Sequence, residues 1–532
     1  MAGADRSGDA REAGGWTAPS GRYNAAIDMV DRNVEAGRGG RLAFMDPKRL
    51  MTYAELQAAC NRMANVLPRL GIGRERRIVL IMLDDVDFPV AFWGAVKAGV
   101  VPVPLNTLLP PETWRYMIED SRADAVVVSA DLLARARPML EEIAAARHLH
   151  VIVAGGKDDD LVLGFERLME RSEPVAEAAG TSADEVAFWL YSSGSTGPPK
   201  GTRHLHASPM ATARLFGQGV LGIGADDVVF SAAKLFFAYG LGNAMSFPMS
   251  VGAAACLLPD RPTPESVAAV MRAANPTIFC GVPTLYAALL ASPDIGKGAG
   301  SSRLRLCTSA GEALPEQIGT AWERTVGVEV IDGIGSTEML HIFVSNRPGK
   351  VCYGSTGLPV PGYEARLLDD EGNPVPPGEI GELVIKGPSA ADGYWLQREK
   401  SLKTFRGAWT HTGDKYRIGE DGNYYYCGRT DDMFKVSGIW VSPFEVESAL
   451  ISHPAVLEAA VVGKDDTDSL TKPRAFVVLK PGFDWSERLG EELKAHVKET
   501  AGAWKYPRWI EVRAELPKTA TGKIQRFKLR EQ

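Results

Sequence analysis

Residues 191–201 read Tyr191-Ser192-Ser193-Gly194-Ser195-Thr196-Gly197-Pro198-Pro199-Lys200-Gly201 and form a stretch rich in glycine and serine. They follow an apolar run, residues 186–190, whose composition predicts a β-strand. Alternating glycines and hydroxyl side chains before a lysine are typical of a loop that wraps phosphate. Glycines let consecutive N–H groups converge on one point, and the lysine adds a positive charge. The loop therefore predicts a phosphate-binding site.

The loop does not match the phosphate loop of kinases and P-loop NTPases, G-x-x-x-x-G-K-[ST]. Gly194 and Gly197 are too close together, two prolines precede Lys200, and Gly201 stands where a magnesium-binding hydroxyl belongs. A kinase or a P-loop NTPase is therefore disfavoured. A simple glycine–serine connector is the plainer alternative, and the density of the motif argues against it.

The composition is that of a globular enzyme without a nucleic-acid or membrane signature. Of the 532 residues, 45% are hydrophobic and 23% charged, and the net charge is -7 without a local run of lysine or arginine. No apolar stretch is long enough to cross a bilayer, and residues 1–20 lack the apolar core of a secretory signal. Six scattered cysteines without C-x-x-C spacing suit a reducing compartment. We expect a cytoplasmic protein with no nucleic-acid or membrane partner, and association as a homodimer is left open.

The hydrophobic pattern changes along the chain and predicts an α/β fold in two domains. Residues 1–20 are expected to form a disordered tail. Near-continuous apolar runs alternate with helical periods in the first part of residues 21–429, which predicts parallel sheets covered on both faces. Within the same domain, the glycines, prolines and short alternating segments of residues 354–426 predict an antiparallel, β-rich subdomain. Residues 430–532 show the order helix, strand, strand, helix, strand, which predicts a small α+β C-terminal domain.

Further motifs follow the glycine-rich loop in a fixed order. In chain order they are Ser231-Ala232-Ala233-Lys234-Leu235-Phe236-Phe237-Ala238-Tyr239-Gly240, Ser309-Ala310-Gly311-Glu312-Ala313, Asp332-Gly333-Ile334-Gly335-Ser336-Thr337-Glu338, Trp409-Thr410-His411-Thr412-Gly413-Asp414, Gly428-Arg429-Thr430-Asp431-Asp432, Ser437-Gly438-Ile439-Trp440-Val441-Ser442-Pro443 and Pro517-Lys518-Thr519-Ala520-Thr521-Gly522-Lys523. Together they resemble the adenylate-forming superfamily, which covers acyl-CoA synthetases, adenylation domains and luciferases. The resemblance extends from Tyr23 to Arg530. Each motif is weak alone, but their common order is specific.

The resemblance implies an ATP site. The nucleotide contacts it implies are Ser192, Ser193, Gly194, Ser195, Thr196, Gly197, Lys200, Ala310, Gly311, Glu312, Asp332, Gly333, Ile334, Gly335, Ser336, Thr337, Asp414 and Arg429. Asp414 is expected on the ribose hydroxyls, which suits an ionised side chain that only accepts hydrogen bonds. Glu338 is expected to offer a carboxylate to the Mg²⁺ that ATP carries, because Mg²⁺ prefers oxygen ligands. Thr337 is expected on the α-phosphate and Lys523 between it and the acid, so Lys523, Thr337 and Glu338 are the expected catalytic residues.

The resemblance also implies a reaction in two halves. The carboxylate of an acid attacks the α-phosphorus of ATP, giving acyl-AMP and pyrophosphate, and the thiolate of coenzyme A then displaces AMP. In this superfamily the small, mobile C-terminal domain turns about a hinge between the halves, here Asp431. The implied coenzyme A contacts are Lys435, Ser437, Gly438 and Trp440.

Residues 230–243, 333–343 and 435–445 resemble the benzoate and hydroxybenzoate CoA ligases in sequence. This resemblance implies that the acid is aromatic. The implied acid pocket consists of Phe237, Tyr239, Gly240, Ala310, Ile334, Gly335, Leu340 and His341. Of these, only Tyr239 and His341 offer a side-chain hydrogen-bonding group to a ring hydroxyl. We therefore expect benzoate and at least one hydroxybenzoate to be used, and fatty acids to be used poorly.

The leading hypothesis is thus an ATP-dependent aryl-CoA ligase of aromatic acid degradation, which uses ATP, Mg²⁺ and coenzyme A. Two related alternatives stay open: an adenylating enzyme that loads a carrier protein, for which the chain shows no carrier segment, and a CoA ligase for another small acid. A nucleotide-binding regulatory protein with a decayed site is disfavoured, because Thr337, Glu338, Asp414 and Lys523 are all present.

Overall fold

The computed structural model describes residues 16–192, 198–293, 295–436, 439–466, 470–502, 504–518 and 524–530. Residues 16–20 have no regular secondary structure, and the ring of Trp16 packs against a hydrophobic cluster of the large domain. The chain forms a large α/β domain with a β-rich part, followed by a smaller α+β domain, as the sequence predicts.

The first sheet is parallel and five-stranded. In spatial order its strands are Val101–Pro104, Arg77–Ile81, Ala125–Ser129, His150–Ala154 and Val162–Gly164. Alternate residues of one strand enter different hydrophobic clusters: Val126 and Val128 lie in one, Ala125 and Val127 in the other. Both faces are therefore buried, which explains the near-continuous apolar runs. The parallel, doubly covered sheet predicted from these runs is confirmed.

The second sheet has nine strands. In spatial order they are Leu358–Pro359, Ile342–Ser345, Val330–Gly335, Leu306–Ser309, Ile278–Gly281, Val228–Ser231, Ala254–Cys256, Leu42–Met45 and Leu50–Thr52. The central strands are parallel and the edges antiparallel. Three predicted motifs include the carboxyl ends of Val228–Ser231, Leu306–Ser309 and Val330–Gly335, so they share one edge of the sheet. Ligands of open α/β sheets bind outside that edge.

The glycine-rich loop joins two antiparallel strands. Val186–Ser192 leads into it and Lys200–Leu205 leads out, with Ser192 opposite Lys200. The sequence predicts the first strand only. A third short strand, Gly393–Tyr394, pairs with Thr202 and Arg203 and so comes from almost two hundred residues away to lie beside the loop.

The rest of the chain is mostly antiparallel. The β-rich part consists of Glu364–Leu368, Gly381–Lys386, Phe405–Arg406, Trp409–Ile418 and Tyr424–Arg429, which confirms the predicted subdomain. The C-terminal strands are Phe434–Val436, Ile439–Val441, Val456–Asp465, Thr471–Leu479 and Trp509–Val512. The C-terminal helices are Pro443–Ile451, Glu487–Thr500 and Arg526–Arg530.

The helices of the large domain cover its sheets. The α-helices are Tyr53–Arg69, Asp87–Lys97, Pro111–Asp120, Ala130–Ala146, Phe165–Glu170, Ser208–Thr212, Ala238–Leu241, Phe247–Val251, Pro264–Ala274, Pro283–Leu290, Glu316–Val326 and Arg398–Thr404. Wider, π-helical turns occupy Ile27–Asp31, Val34–Arg38, Ala213–Gln218 and Gly242–Ser246, and tighter 3₁₀ turns occupy Lys297–Gly300 and Thr337–Met339. Within the described ranges, no helix combines the length and the apolar character needed to cross a bilayer.

Candidate active site

Glu338 lies just beyond the carboxyl end of strand Val330–Gly335, in the 3₁₀ turn Thr337–Met339. The turn is capped by Ser336, whose Oγ accepts a hydrogen bond from the backbone N–H of Met339 at 3.3 Å. The Glu338 carboxylate accepts a hydrogen bond from the Tyr394 hydroxyl, with 2.7 Å between the oxygens. Its backbone carbonyl accepts another from the N–H of Ala391 at 2.8 Å. The carboxylate is therefore held in place while its side chain remains only half-buried.

Tyr394 also contacts Lys200, the lysine of the glycine-rich loop. The Lys200 Nζ lies 4.3 Å from the centre of the Tyr394 ring, which is a cation–π distance. Burial lowers the pKa of Lys200, and the nearby Glu338 carboxylate opposes that effect. Sequence analysis missed Tyr394, because it reaches the site only through the pairing of strand Gly393–Tyr394 with Lys200–Leu205.

Asp414 and Arg429 face each other across two antiparallel strands. An Nη1 of Arg429 lies 3.1 Å from Oδ1 of Asp414, and the same nitrogen donates to the carbonyl of Thr412 at 3.1 Å. The carboxylate of Asp414 raises the pKa of Arg429, and Glu338 contributes in the same direction. Gly413, with φ of 71°, lets the arginine pass close to the backbone, since a Cβ there would lie 3.0 Å from the guanidinium. The structure thus brings together two predicted nucleotide residues from separate motifs.

Asp332 is buried near the end of strand Val330–Gly335. Burial raises its pKa to about 8, so the carboxyl group is largely protonated at neutral pH. Its Oδ2 accepts a hydrogen bond from the backbone N–H of Leu314 at 3.4 Å, which ties the neighbouring predicted loop to the sheet. In that loop Ala310 is buried, Gly311 is exposed with φ of 95°, and Glu312 is half-buried.

The predicted acid-pocket residues divide into two groups. Phe237, Tyr239 and Ile334 each leave part of their surface uncovered, whereas Leu340 and His341 are only 2% and 3% exposed. The Nε2–H of His341 donates to the carbonyl of Tyr239 at 3.3 Å, and burial lowers the pKa of His341 to about 3. The imidazole is therefore neutral, and its ring packs on Tyr239 and on two phenylalanines.

The predicted pocket glycines occupy positions where the backbone is approached closely. A Cβ on Gly240 would overlap the carbonyl oxygens of Ala233 and Lys234, and one on Gly335 would lie 2.6 Å from the carbonyl of His341. Leu340, which directly precedes His341 in the chain, has φ of 64°. Such a backbone conformation costs a non-glycine residue about 1–3 kcal/mol. These residues set the backbone course beside Tyr239 and His341.

Several predicted site residues lie outside the description. The residues that the structure does not describe include Ser193, Gly194, Ser195, Thr196, Gly197, Ser437, Gly438 and Lys523, and for Lys435 and Trp440 only the backbone is described. The predicted hinge residue Asp431 is exposed, and its carbonyl accepts a hydrogen bond from Nη1 of Arg530 at 2.9 Å.

Comparison with known proteins gives consistent results over almost the whole chain. Residues 30–395 match the model of the family described as AMP-binding enzyme, and residues 445–523 match the AMP-binding enzyme C-terminal domain. The chain is 54% identical to a benzoate–CoA ligase of Thauera aromatica, with 96% of each chain covered. It is 53% identical to a 4-hydroxybenzoate–CoA/benzoate–CoA ligase of Rhodopseudomonas palustris, over 96% of this chain and 94% of the other. A solved benzoate CoA ligase from Burkholderia xenovorans superimposes with a TM-score of 0.89 at 52% identity, over 96% of this chain and 100% of that chain.

Proposed function

The chain belongs to the family of AMP-binding enzymes, and from this membership we propose that it is an ATP-dependent aryl-CoA ligase. It converts benzoate or a hydroxybenzoate, ATP and coenzyme A into aryl-CoA, AMP and pyrophosphate. The observation that carries the proposal is the full-length similarity to two CoA ligases that are both named for benzoate.

In the first half-reaction the protein positions ATP against the acid. Asp414, oriented by Arg429, accepts hydrogen bonds from the ribose hydroxyls, and the loop around Ser192 to Lys200 surrounds the phosphates. Thr337 bonds the α-phosphate, and Lys523 places a positive charge between that phosphate and the attacking carboxylate. Displacement at phosphorus depends mainly on positioning and on charge stabilisation, so these contacts account for most of the expected catalysis.

Mg²⁺ fits the proposed nucleotide site through Glu338. One of its oxygens accepts a hydrogen bond from Tyr394, which leaves further lone pairs of a half-buried, oriented carboxylate for a metal ion. One carboxylate together with phosphate oxygens and water is a common ligand set for Mg²⁺. When bound, the ion neutralises charge on the phosphates of ATP.

In the second half-reaction the thiolate of coenzyme A attacks the acyl carbon of aryl-AMP and expels AMP. The protein needs no cysteine nucleophile, and burial raises the pKa of Cys280, beside the proposed acid pocket, to about 12. We assign coenzyme A contacts to Lys435, Ser437, Gly438 and Trp440. We also propose that residues 430–532 form a domain that turns about Asp431 relative to residues 21–429, with residues 1–20 as a tail.

The proposal is tested by assaying benzoate, 3- and 4-hydroxybenzoate, acetate and octanoate with ATP and coenzyme A. We expect pyrophosphate release with acid and ATP, and AMP release that depends on coenzyme A. Because a mainly apolar pocket rejects an added hydroxyl by only about 10², benzoate and at least one hydroxybenzoate should both serve. A higher kcat/KM for acetate or octanoate than for every aromatic acid would contradict the proposal.

A further inference from the structure

Tyr239 combines an accessible ring with a hydroxyl that already has a partner. Its side chain is half-buried, as are the side chains of Phe237 and Ile334. The hydroxyl lies 2.6 Å from Oγ1 of Thr308, which is fully buried in strand Leu306–Ser309. Thr308 stands outside every motif that the sequence analysis singled out.

Thr308 is held rigidly and is well placed to satisfy a hydroxyl. Its strand is in the middle of the nine-stranded sheet, and its backbone carbonyl accepts a hydrogen bond from the hydroxyl of Tyr286 at 2.7 Å. Cys280 lies directly opposite Thr308 in the parallel register. The Thr308 hydroxyl can therefore accept the phenolic hydrogen of Tyr239 and donate its own hydrogen to the Cys280 thiol. The tyrosine hydroxyl thus has a partner within the protein and does not depend on a ligand for one.

His341, the other polar residue predicted in the acid pocket, already has a hydrogen-bond partner for one of its two ring nitrogens. The neutral His341 ring donates from Nε2 to the carbonyl of Tyr239, so it brings no charge to the acid. A bare aromatic ring placed against Tyr239 and His341 thus leaves the tyrosine hydroxyl with its hydrogen bond intact. A pocket of this kind tolerates benzoate without requiring a ring hydroxyl.

We propose that Thr308 determines the acid specificity of this site by supplying the hydrogen-bond partner of Tyr239. It is a positioning residue that acts through the tyrosine, and the inference rests on the proposed aryl-CoA ligase function. Without the Thr308 hydroxyl, a bound benzoate leaves a buried tyrosine hydroxyl unpaired, which is costly. A hydroxybenzoate whose hydroxyl reaches Tyr239 removes that cost, so the preference shifts toward the hydroxylated acid.

The test replaces Thr308 by valine, which keeps the branched shape and loses only the hydroxyl, and by alanine as a second variant without it. For each, kcat/KM is measured with benzoate and with 2-, 3- and 4-hydroxybenzoate. We expect the ratio of hydroxybenzoate to benzoate to rise by roughly 10-fold or more for at least one isomer, since polar groups left unpaired by a substrate discriminate strongly. Thr308→Ser, which retains the hydroxyl, should keep the ratio of the unmodified protein.

A matched control is available elsewhere in the chain. Thr356 and Tyr416 form another buried threonine–tyrosine hydroxyl pair, 3.2 Å apart, and neither residue is among the predicted acid-pocket residues. Thr356→Val should leave the ratio of the four acids unchanged. In a Tyr239→Phe background, Thr308→Val should no longer shift the ratio, because the group it satisfies is gone.

The outcomes separate the inference from the proposed function. If the unmodified protein uses none of the aromatic acids, the proposed function fails. If it uses them and neither Thr308→Val nor Thr308→Ala shifts the ratio for any isomer, the inference about Thr308 is overturned while the function stands. A shift of equal size in Thr356→Val overturns it as well, because the effect would then reflect a general loss of stability.

Discussion

The Tyr394 hydroxyl orients Glu338, one of the predicted catalytic residues. It donates to Glu338 at 2.7 Å while its ring lies under the Lys200 ammonium. Tyr394→Phe keeps the ring and removes only the donor. We expect pyrophosphate exchange into ATP with benzoate to fall by about 10- to 100-fold, because a hydrogen bond to a charged group contributes about 1.5–3 kcal/mol. The rate should be measured over a range of Mg²⁺ concentrations, with a higher Mg²⁺ requirement expected.

Tyr425 supplies a matched control for the Tyr394 variant. Its hydroxyl donates to a carboxylate oxygen of Asp421 at 2.8 Å, in an exposed turn of the β-rich part. Tyr425→Phe therefore removes the same kind of bond without touching Glu338, and should leave pyrophosphate exchange and its Mg²⁺ dependence unchanged. Equal rates in the Tyr394 and Tyr425 variants at every Mg²⁺ concentration would refute the orienting role of Tyr394.

Among the elements, the short helix Ala238–Leu241 depends on the absence of a side chain at Gly240. A Cβ there would overlap the carbonyl oxygens of Ala233 and Lys234, and the backbone cannot yield easily because the Lys234 ammonium donates to the carbonyls of Leu258, Pro259 and Asp260. We expect Gly240→Ala to lower the free energy of unfolding by about 1–3 kcal/mol, as overpacking does. The KM for benzoate should rise, since the helix carries Tyr239.

Denaturant unfolding and benzoate kinetics check this prediction. Gly224→Ala is the comparison, because the nearest atom to a Cβ at that position is the Oδ2 of Asp227 at 4.0 Å. That change should stay within about 0.5 kcal/mol. An unfolding midpoint for Gly240→Ala that equals the midpoint for Gly224→Ala would show that the helix tolerates a side chain at the contact.

Across the whole molecule, an ion-pair network joins the last helix to the predicted hinge. Arg526 makes two hydrogen bonds to Glu447, at 2.9 and 2.7 Å, and lies 3.6 Å from Asp432. Burial alone would lower the pKa of Arg526, but Glu447 and Asp432 raise it above the ordinary value. Arg530 adds an ion pair to Asp432 and the hydrogen bond to the carbonyl of Asp431.

Glu447→Ala should therefore destabilise the C-terminal domain strongly. It leaves the half-buried guanidinium of Arg526 without its main partner, and breaking a pair whose carboxylate is buried costs up to about 3–5 kcal/mol. Scanning calorimetry should show an unfolding transition at a lower temperature than in the unmodified protein. Glu492→Ala, which breaks the exposed pair with Arg488 in the same domain, should change stability by at most about 1 kcal/mol. Similar transitions for both variants would mean that the network contributes little.

Many residues of the candidate site can be predicted from the sequence alone. Asp414, Arg429, Glu338 and Thr337 all stand in the quoted motifs, and the structure puts Asp414 against Arg429. The roles assigned to these residues remain predictions. The sequence did not predict Tyr394 and Thr308 as site residues, because neither stands in one of the quoted motifs. Tyr394 lies 56 positions from its partner Glu338, and Thr308 lies 69 positions from its partner Tyr239. Contacts of that separation depend on strand order and register, which local patterns do not encode.

The sequence by itself determined the class of fold, the parallel and antiparallel regions and the family, because apolar periodicity and loop composition are local consequences of burial and of backbone geometry. Only the tertiary structure decided which polar groups are already satisfied. It pairs the Tyr239 hydroxyl with Thr308, makes His341 neutral by burial and pairs the two strands that flank the glycine-rich loop. The physical reason is that hydrogen-bond partners and desolvation are properties of three-dimensional neighbours, and the nine-stranded sheet assembles those neighbours from distant parts of the chain.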